Sequence, residues 1–128
     1  MPRQSIDIGS FAHQNPLPAA SRIGPMIISS VIAPFDPGTR NMPDGFPAQI
    51  ENIFRHTEEI LDAAGATWGD VLKMTFFVDD ISAREMINEP WLKRFPDPAA
   101  RPARHTMLAP SGGGKPGIRA EFTAYMER

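Results

Sequence analysis

The sequence contains no cysteine. Disulfides and thiolate chemistry are therefore excluded, and a reducing compartment suits the chain. Neither charge is in large excess: 13 Lys and Arg stand against 15 Asp and Glu, a formal net charge of −2. Phosphate binding needs concentrated basic side chains. Neither a basic stripe nor an aromatic stacking platform is visible, so nucleic acid is not an expected partner. Long apolar runs are missing too. The longest, PMIISSVIAPF from Pro25 to Phe35, is broken by Ser29 and Ser30 and is too short to cross a bilayer, so no membrane partner is expected. The opening MPRQSIDIGSF lacks the apolar centre of a secretory signal, which makes the cytoplasm the expected location. Histidines and carboxylates nowhere show a metal-ligand spacing on a helix face with a third ligand at hand, so no metal is expected. SGGGKPG, Ser111 to Gly117, lacks the Lys-Ser/Thr pair that leads a phosphate loop into a helix, and reads as a hairpin turn.

What is present suffices for one core. The 128 residues are read as one domain across 1–128, with 1–15 as an irregular N-terminal segment. Apolar residues make up 41% and charged residues 22%, a globular rather than a disordered balance. Prolines and glycines cluster between periodic segments and mark shaped loops. A short strand is expected around Ser5–Ile8, an extended stretch over Asn15–Arg22, and a strand over Ile23–Ile32. Pro34–Phe46 is a turn-rich loop. Pro47 to about Ala64 is the clearest helix: Ile50, Ile53, Phe54, Ile60, Leu61 and Ala64 recur at 3.6 spacing, Pro47 suits the first turn and Gly65 the end. His56, among acidic neighbours on this helix, reads as solvated.

Val71–Asp80 is a strong strand. Leu72, Met74, Phe76 and Val78 are expected on one face, and Lys73, Thr75 and Phe77 on the other. A second helix is expected from Ser82, carrying Met86, Ile87, Trp91 and Phe95, with a kink or break at Pro90. His105–Pro110 and Ile118–Tyr125 complete the strands. Both helices are expected on one face of one sheet. Phe77 lies on the opposite parity, so the second face is expected to be covered, most simply by further copies of the chain.

Several pieces together resemble the RidA family, also called YjgF or L-PSP. They are GPMIISS (Gly24–Ser30), EILDAAGATWGDVLKMTFFVDD (Glu59–Asp80), INEPW (Ile87–Trp91), FPDPAARPARHTM (Phe95–Met107) and IRAEFTAY (Ile118–Tyr125). The resemblance implies an α+β, chorismate-mutase-like fold: a mixed sheet with two helices packed on one face. It also implies a homotrimer with ligand clefts between subunits. The implied activity is cofactor-free hydrolysis of a reactive enamine or imine acid to a 2-oxo acid and ammonia. The family's substrate-anchoring arginine falls on Arg104, whose planar donor fork fits a carboxylate. Backbone groups of His105 and Thr106 are implied to line the same cleft, and Ser30 and Asn88 match pocket positions.

The sequence departs from the family at three pocket positions. Arg119 stands where active deaminases carry a water-placing glutamate, with Glu121 two residues on and on the same side of the pleat. Leu17 replaces a pocket tyrosine, and Val31 replaces the glycine after the pocket serine. His13 or His105 would have to orient water in the glutamate's place. Arg119 facing Arg104 across one cleft would suit a dicarboxylate, for example an aminomuconate-like one. The first reading is therefore a deaminase. The alternative is a non-catalytic protein that binds small carboxylates in the same cleft, and an endoribonuclease comes last. Arg101 reads as a solvated or inter-subunit charge.

Overall fold

The computed structural model describes residues 2–110 and 115–127. The first four residues of the expected SGGGKPG hairpin lie outside them. The strands are β1 (Gln4–Ile6), β2 (Ala20–Ile23), β3 (Met26–Ser29), β4 (Val71–Val78), β5 (Ala103–Leu108) and β6 (Ile118–Tyr125). The helices are α1 (Phe46–Ala64), α2 (Ala83–Met86) and α3 (Asn88–Arg94). All six strands form one sheet in the order β1-β2-β3-β6-β4-β5. Among the described residues only β4 and β5 run parallel, joined by a crossover through α2 and α3, and the other pairings are antiparallel. The helices bury one face of the sheet, as the periodicity predicted.

α1 forms where the sequence places it. Ile50, Ile53, Phe54, Ile60, Leu61 and Ala64 are buried, and they meet Phe76 and Phe122 of the sheet in one core. Burial is worth about 1.5–3 kcal/mol for each large apolar side chain. Gly65 ends the helix at φ 76°, a left-handed conformation that favours glycine. Its N–H donates to the Asp62 carbonyl and that of Ala66 to the Leu61 carbonyl, so two end carbonyls are satisfied.

Four local expectations are corrected. The Ile23–Ile32 strand is a hairpin: β2 and β3 pair across Gly24–Pro25, with Gly24 at φ 54°. β3 then bulges. Ile28 pairs with Thr123 but Ile32 bridges Ala120, so one extra residue sits between them around Ser30. Leu72 is not on the core face: a register irregularity between Val71 and Lys73 buries Val71 and leaves Leu72 exposed. The second helix breaks at Ile87 rather than at Pro90. Pro90 falls in the first turn of α3, where its missing N–H is harmless. His56 is fully buried. Its Nε2 lies 2.7 Å from the Phe35 carbonyl and its Nδ1 3.0 Å from Ser10 Oγ. A carbonyl only accepts, so Nε2 carries the proton and Nδ1 accepts from the serine hydroxyl.

Opposite parities divide the site residues between the two faces. Met74 pairs with Arg104 and Phe76 with Thr106, which puts Arg104 and Thr106 on the helix side. Thr75 pairs with both His105 and Glu121, and Phe77 with Arg119. These residues, with Ile28 and Val31, belong to the open face.

Candidate functional site

Arg104 sits on the edge strand β5, directed at the α2–α3 run. Ile87, between the two helices, keeps helical angles (φ −72°, ψ −25°). Arg84, Asn88 and Trp91 therefore recur at i, i+4, i+7 along one stripe. The Arg104 guanidinium lies 5.2 Å from the centre of the Trp91 ring. Its Nη2 donates to Asn88 Oδ1 at 2.9 Å and, more weakly, to the Arg84 carbonyl at 3.4 Å. Trp91 is itself held by Phe95 and Phe76, at ring separations of 4.7 and 6.5 Å. Cation–π contact of this kind is worth about 0.5–2 kcal/mol, so the aromatic floor fixes the guanidinium's plane. Asn88 thus orients the arginine.

Among the described residues, no carboxylate lies within ion-pair distance of Arg104. Burial, and secondarily the nearby charge of Arg84, push the Arg104 pKa down. A guanidinium still stays protonated at neutral pH. The arrangement is a half-buried cation with an aromatic floor, one end held and no counter-charge among the described residues. Chemically it can receive a carboxylate.

The remaining expected residues do not gather at Arg104 within one chain. Thr106 lies two residues along on the same side. The His105 side chain is exposed on the other face, where it cannot orient water beside Arg104 of its own chain. Arg119, half-buried on that open face, donates from Nη2 to the Ala109 carbonyl at 3.0 Å. The two arginines expected across one cleft thus lie on opposite faces of their own sheet. Glu121 shares the face of Arg119, as the pleat predicted, and makes no ion pair with it among the described residues.

A second group forms where the N-terminal segment meets the β3 bulge. Ser30 Oγ donates to the Pro18 carbonyl at 2.8 Å, and the Ser30 N–H to the Ala19 carbonyl at 2.9 Å. Val31 and Leu17 are exposed beside it, 37% and 40%. The His13 ring stands edge-on to Phe11 at 4.9 Å, near the Val31 backbone. Its Nε2 is buried and finds no hydrogen-bond partner among the described residues. Burial is the main cause of a lowered His13 pKa, which the Arg40 charge lowers further, so this ring is neutral at pH 7.

Arg101 is exposed, and part of its guanidinium is bound within the chain. Its Nε donates to the Phe95 carbonyl at 2.9 Å and its Nη2 to the Pro96 carbonyl at 3.2 Å, stapling the loop before β5. Sequence reasoning missed Arg84, although its spacing from Asn88 and Trp91 was a usable signal. It also missed the polar stripe Gln49, Asn52 and His56 on α1, which holds the 34–43 loop through the carbonyls of Pro34, Phe35 and Pro43. Among the described residues, no group of three or more His, Asp or Glu is placed to hold a metal ion. No helix is long and apolar enough to cross a membrane, among the same residues.

A family model described as Endoribonuclease L-PSP matches residues 9–121. A RutC family protein of Aquifex aeolicus (strain VF5) is 28% identical over 106 residues, which cover 83% of this chain and 80% of that one. The 2-iminobutanoate/2-iminopropanoate deaminase of Escherichia coli (strain K12) is 35% identical over 66 residues, 52% of each chain, so the match spans about half of that relative. The crystal structure of RidA from the Antarctic bacterium Psychrobacter sp. PAMC 21119 superposes with a TM-score of 0.86 at 27% identity, over 96% of this chain and 99% of that one. The sequence match covers most of the chain and the fold agrees over nearly all of it: the chain belongs to the RidA (YjgF/L-PSP) family.

Proposed function

We propose that the protein hydrolyses a reactive imine or enamine acid to a 2-oxo acid and ammonia, with the substrate carboxylate on Arg104. The observation that carries this reading is the Arg104 guanidinium, floored by Trp91 and oriented by Asn88, with no carboxylate partner among the described residues. The deaminase name borne by relatives supports the same reaction class. The chemistry asks little of the protein. An enamine tautomerises to its imine, water adds to the C=N carbon, and the C–N bond breaks as ammonia leaves with the protons from water. The tautomerisation and hydrolysis leave the net oxidation level of the substrate unchanged, so neither oxidant nor reductant is needed. Holding the carboxylate beside a positioned water supplies most of the advantage.

The site is completed, in this reading, by the open face of a second copy in a homotrimer. That face carries Arg119, Glu121 and His105, which the Arg104 side of the same chain lacks. A second reading, binding without turnover, is favoured by Arg119, which by the resemblance takes the place of the family's glutamate.

The test is ammonia release from 2-aminoacrylate made in situ by a dehydratase. Wild type is expected to accelerate release, and Arg104→Ala to lose about 100-fold, in line with losing a charge-assisted anchor. A silent wild type that gains activity as Arg119→Glu would instead establish the binding reading. A wild type and an Arg104→Ala variant of equal rate would remove Arg104 from the reaction.

A further inference from the structure

Arg84 places a second cationic side chain within electrostatic range of Arg104. It lies on the stripe that also carries Asn88 and Trp91, both of which touch Arg104. Its carbonyl accepts from Arg104 Nη2, so its backbone is within one side chain of the anchor. The Arg84 charge is felt at Arg104, where it opposes protonation.

The acids of the same run lie elsewhere. Glu85 and Glu89 line a groove with Glu51 and Pro47, on the α1 side of the run. Glu89 also pairs with Lys93 at 3.8 Å. The Asp80 carboxylate accepts the Ser82 N–H at 2.9 Å. Among the described residues, neither Arg84 nor Arg104 has a carboxylate within ion-pair distance. Two like charges beside a half-buried site repel, and a ligand with one negative charge relieves only part of that repulsion.

We propose that Arg84 is a second anion-binding residue and that the site selects an imino or enamine dicarboxylic acid, its α-carboxylate on Arg104 and its distal carboxylate on Arg84. This rests on reading Arg104 as the carboxylate anchor. Arg84 serves Arg104 from the same chain, whereas Arg119 lies on the other sheet face, bound to the Ala109 carbonyl, and reaches the cleft only from a second copy. The reaction keeps its balance: water replaces the imine nitrogen, and ammonia leaves while both carboxylates stay bound.

The test separates this inference from the deamination itself. Titration calorimetry on the full chain uses 2-oxoglutarate and 2-oxobutanoate, product-like acids with two and one carboxylates. Wild type is expected to bind 2-oxoglutarate about tenfold more tightly. Arg84→Gln should abolish that preference, and Arg84→Lys should restore part of it. Equal affinities in wild type would overturn the proposal, and so would an Arg84→Gln variant that weakens both acids alike. Failure of both acids to bind would overturn it together with the anchor role of Arg104. In parallel, an amino-acid oxidase supplies the imines of glutamate and alanine. A retained binding preference with no acceleration on either imine would sink the deaminase reading and leave the Arg84 assignment standing.

Discussion

At the scale of the residue, polarity says little about exposure. His56 is polar, flanked by charge, and fully buried, because Ser10 and Phe35 supply a partner for each ring nitrogen and Phe11 lies 5.3 Å away across its face. Burial is the largest influence on its pKa and holds it below the ordinary histidine value, despite the opposing hydrogen bond to Phe35. His13 is lowered for the same first reason. The folded state therefore stays neutral at a pH where the unfolded chain, with its histidines near 6.5, already takes up protons. Stability is complete above that value, falls as pH drops through it, and levels off below the folded pKa. The melting temperature is expected to fall between about pH 7.5 and 5.5. In His56→Leu the starting temperature should be lower, since Ser10 and Phe35 lose their partner, but the decline should be shallower. Parallel declines in the two proteins would show that His56 is not responsible.

At the scale of the element, ends and irregularities position the site more than strand and helix interiors do. The end of α1 is held by Gly65 and by Arg22, whose Nη1 donates to the Ala64 carbonyl at 2.8 Å. A Cβ added at Gly65 would meet no neighbouring atom within 4 Å, so substitution there acts through backbone strain alone. Gly65→Ala is expected to cost about 1 kcal/mol, read as a lower urea midpoint at unchanged slope. No change in midpoint would mean the helix end relaxes freely. The two bulges act on the faces. The one in β4 turns Leu72 out, and the one at Ser30 keeps Val31 beside Ile28 on the open face. The break at Ile87 preserves helical phase, which is why Arg84 and Asn88 reach the same guanidinium.

At the scale of the whole molecule, the sheet has a helix-covered face and an open one. The open face presents Ile28 (53% exposed) and Met107 (43% exposed) around half-buried Phe77. Apolar side chains at this density on a sheet suit contact with further copies. Sedimentation is expected to show a trimer for the wild type and a smaller species for Ile28→Lys, which would bury an unpaired charge. A monomeric wild type would remove the inter-subunit reading of the cleft.

Much of the fold was legible in the chain. The stripe from Ile50 to Ala64, the strands at Val71 and Ile118, the glycine at 65 and the absence of a long apolar run all follow from neighbours close in sequence, where a fixed residue period governs which side is apolar. The Arg104 motif was legible for the same reason, as a short contiguous run. Folding alone settled that Leu72 points outward, that His56 is buried, that Arg104 and Arg119 take opposite faces, and that Arg84 stands beside Arg104. Each of these depends on register between segments far apart in the chain. Register is set by how bulges, turns and side-chain volumes pack together, and no local period encodes that.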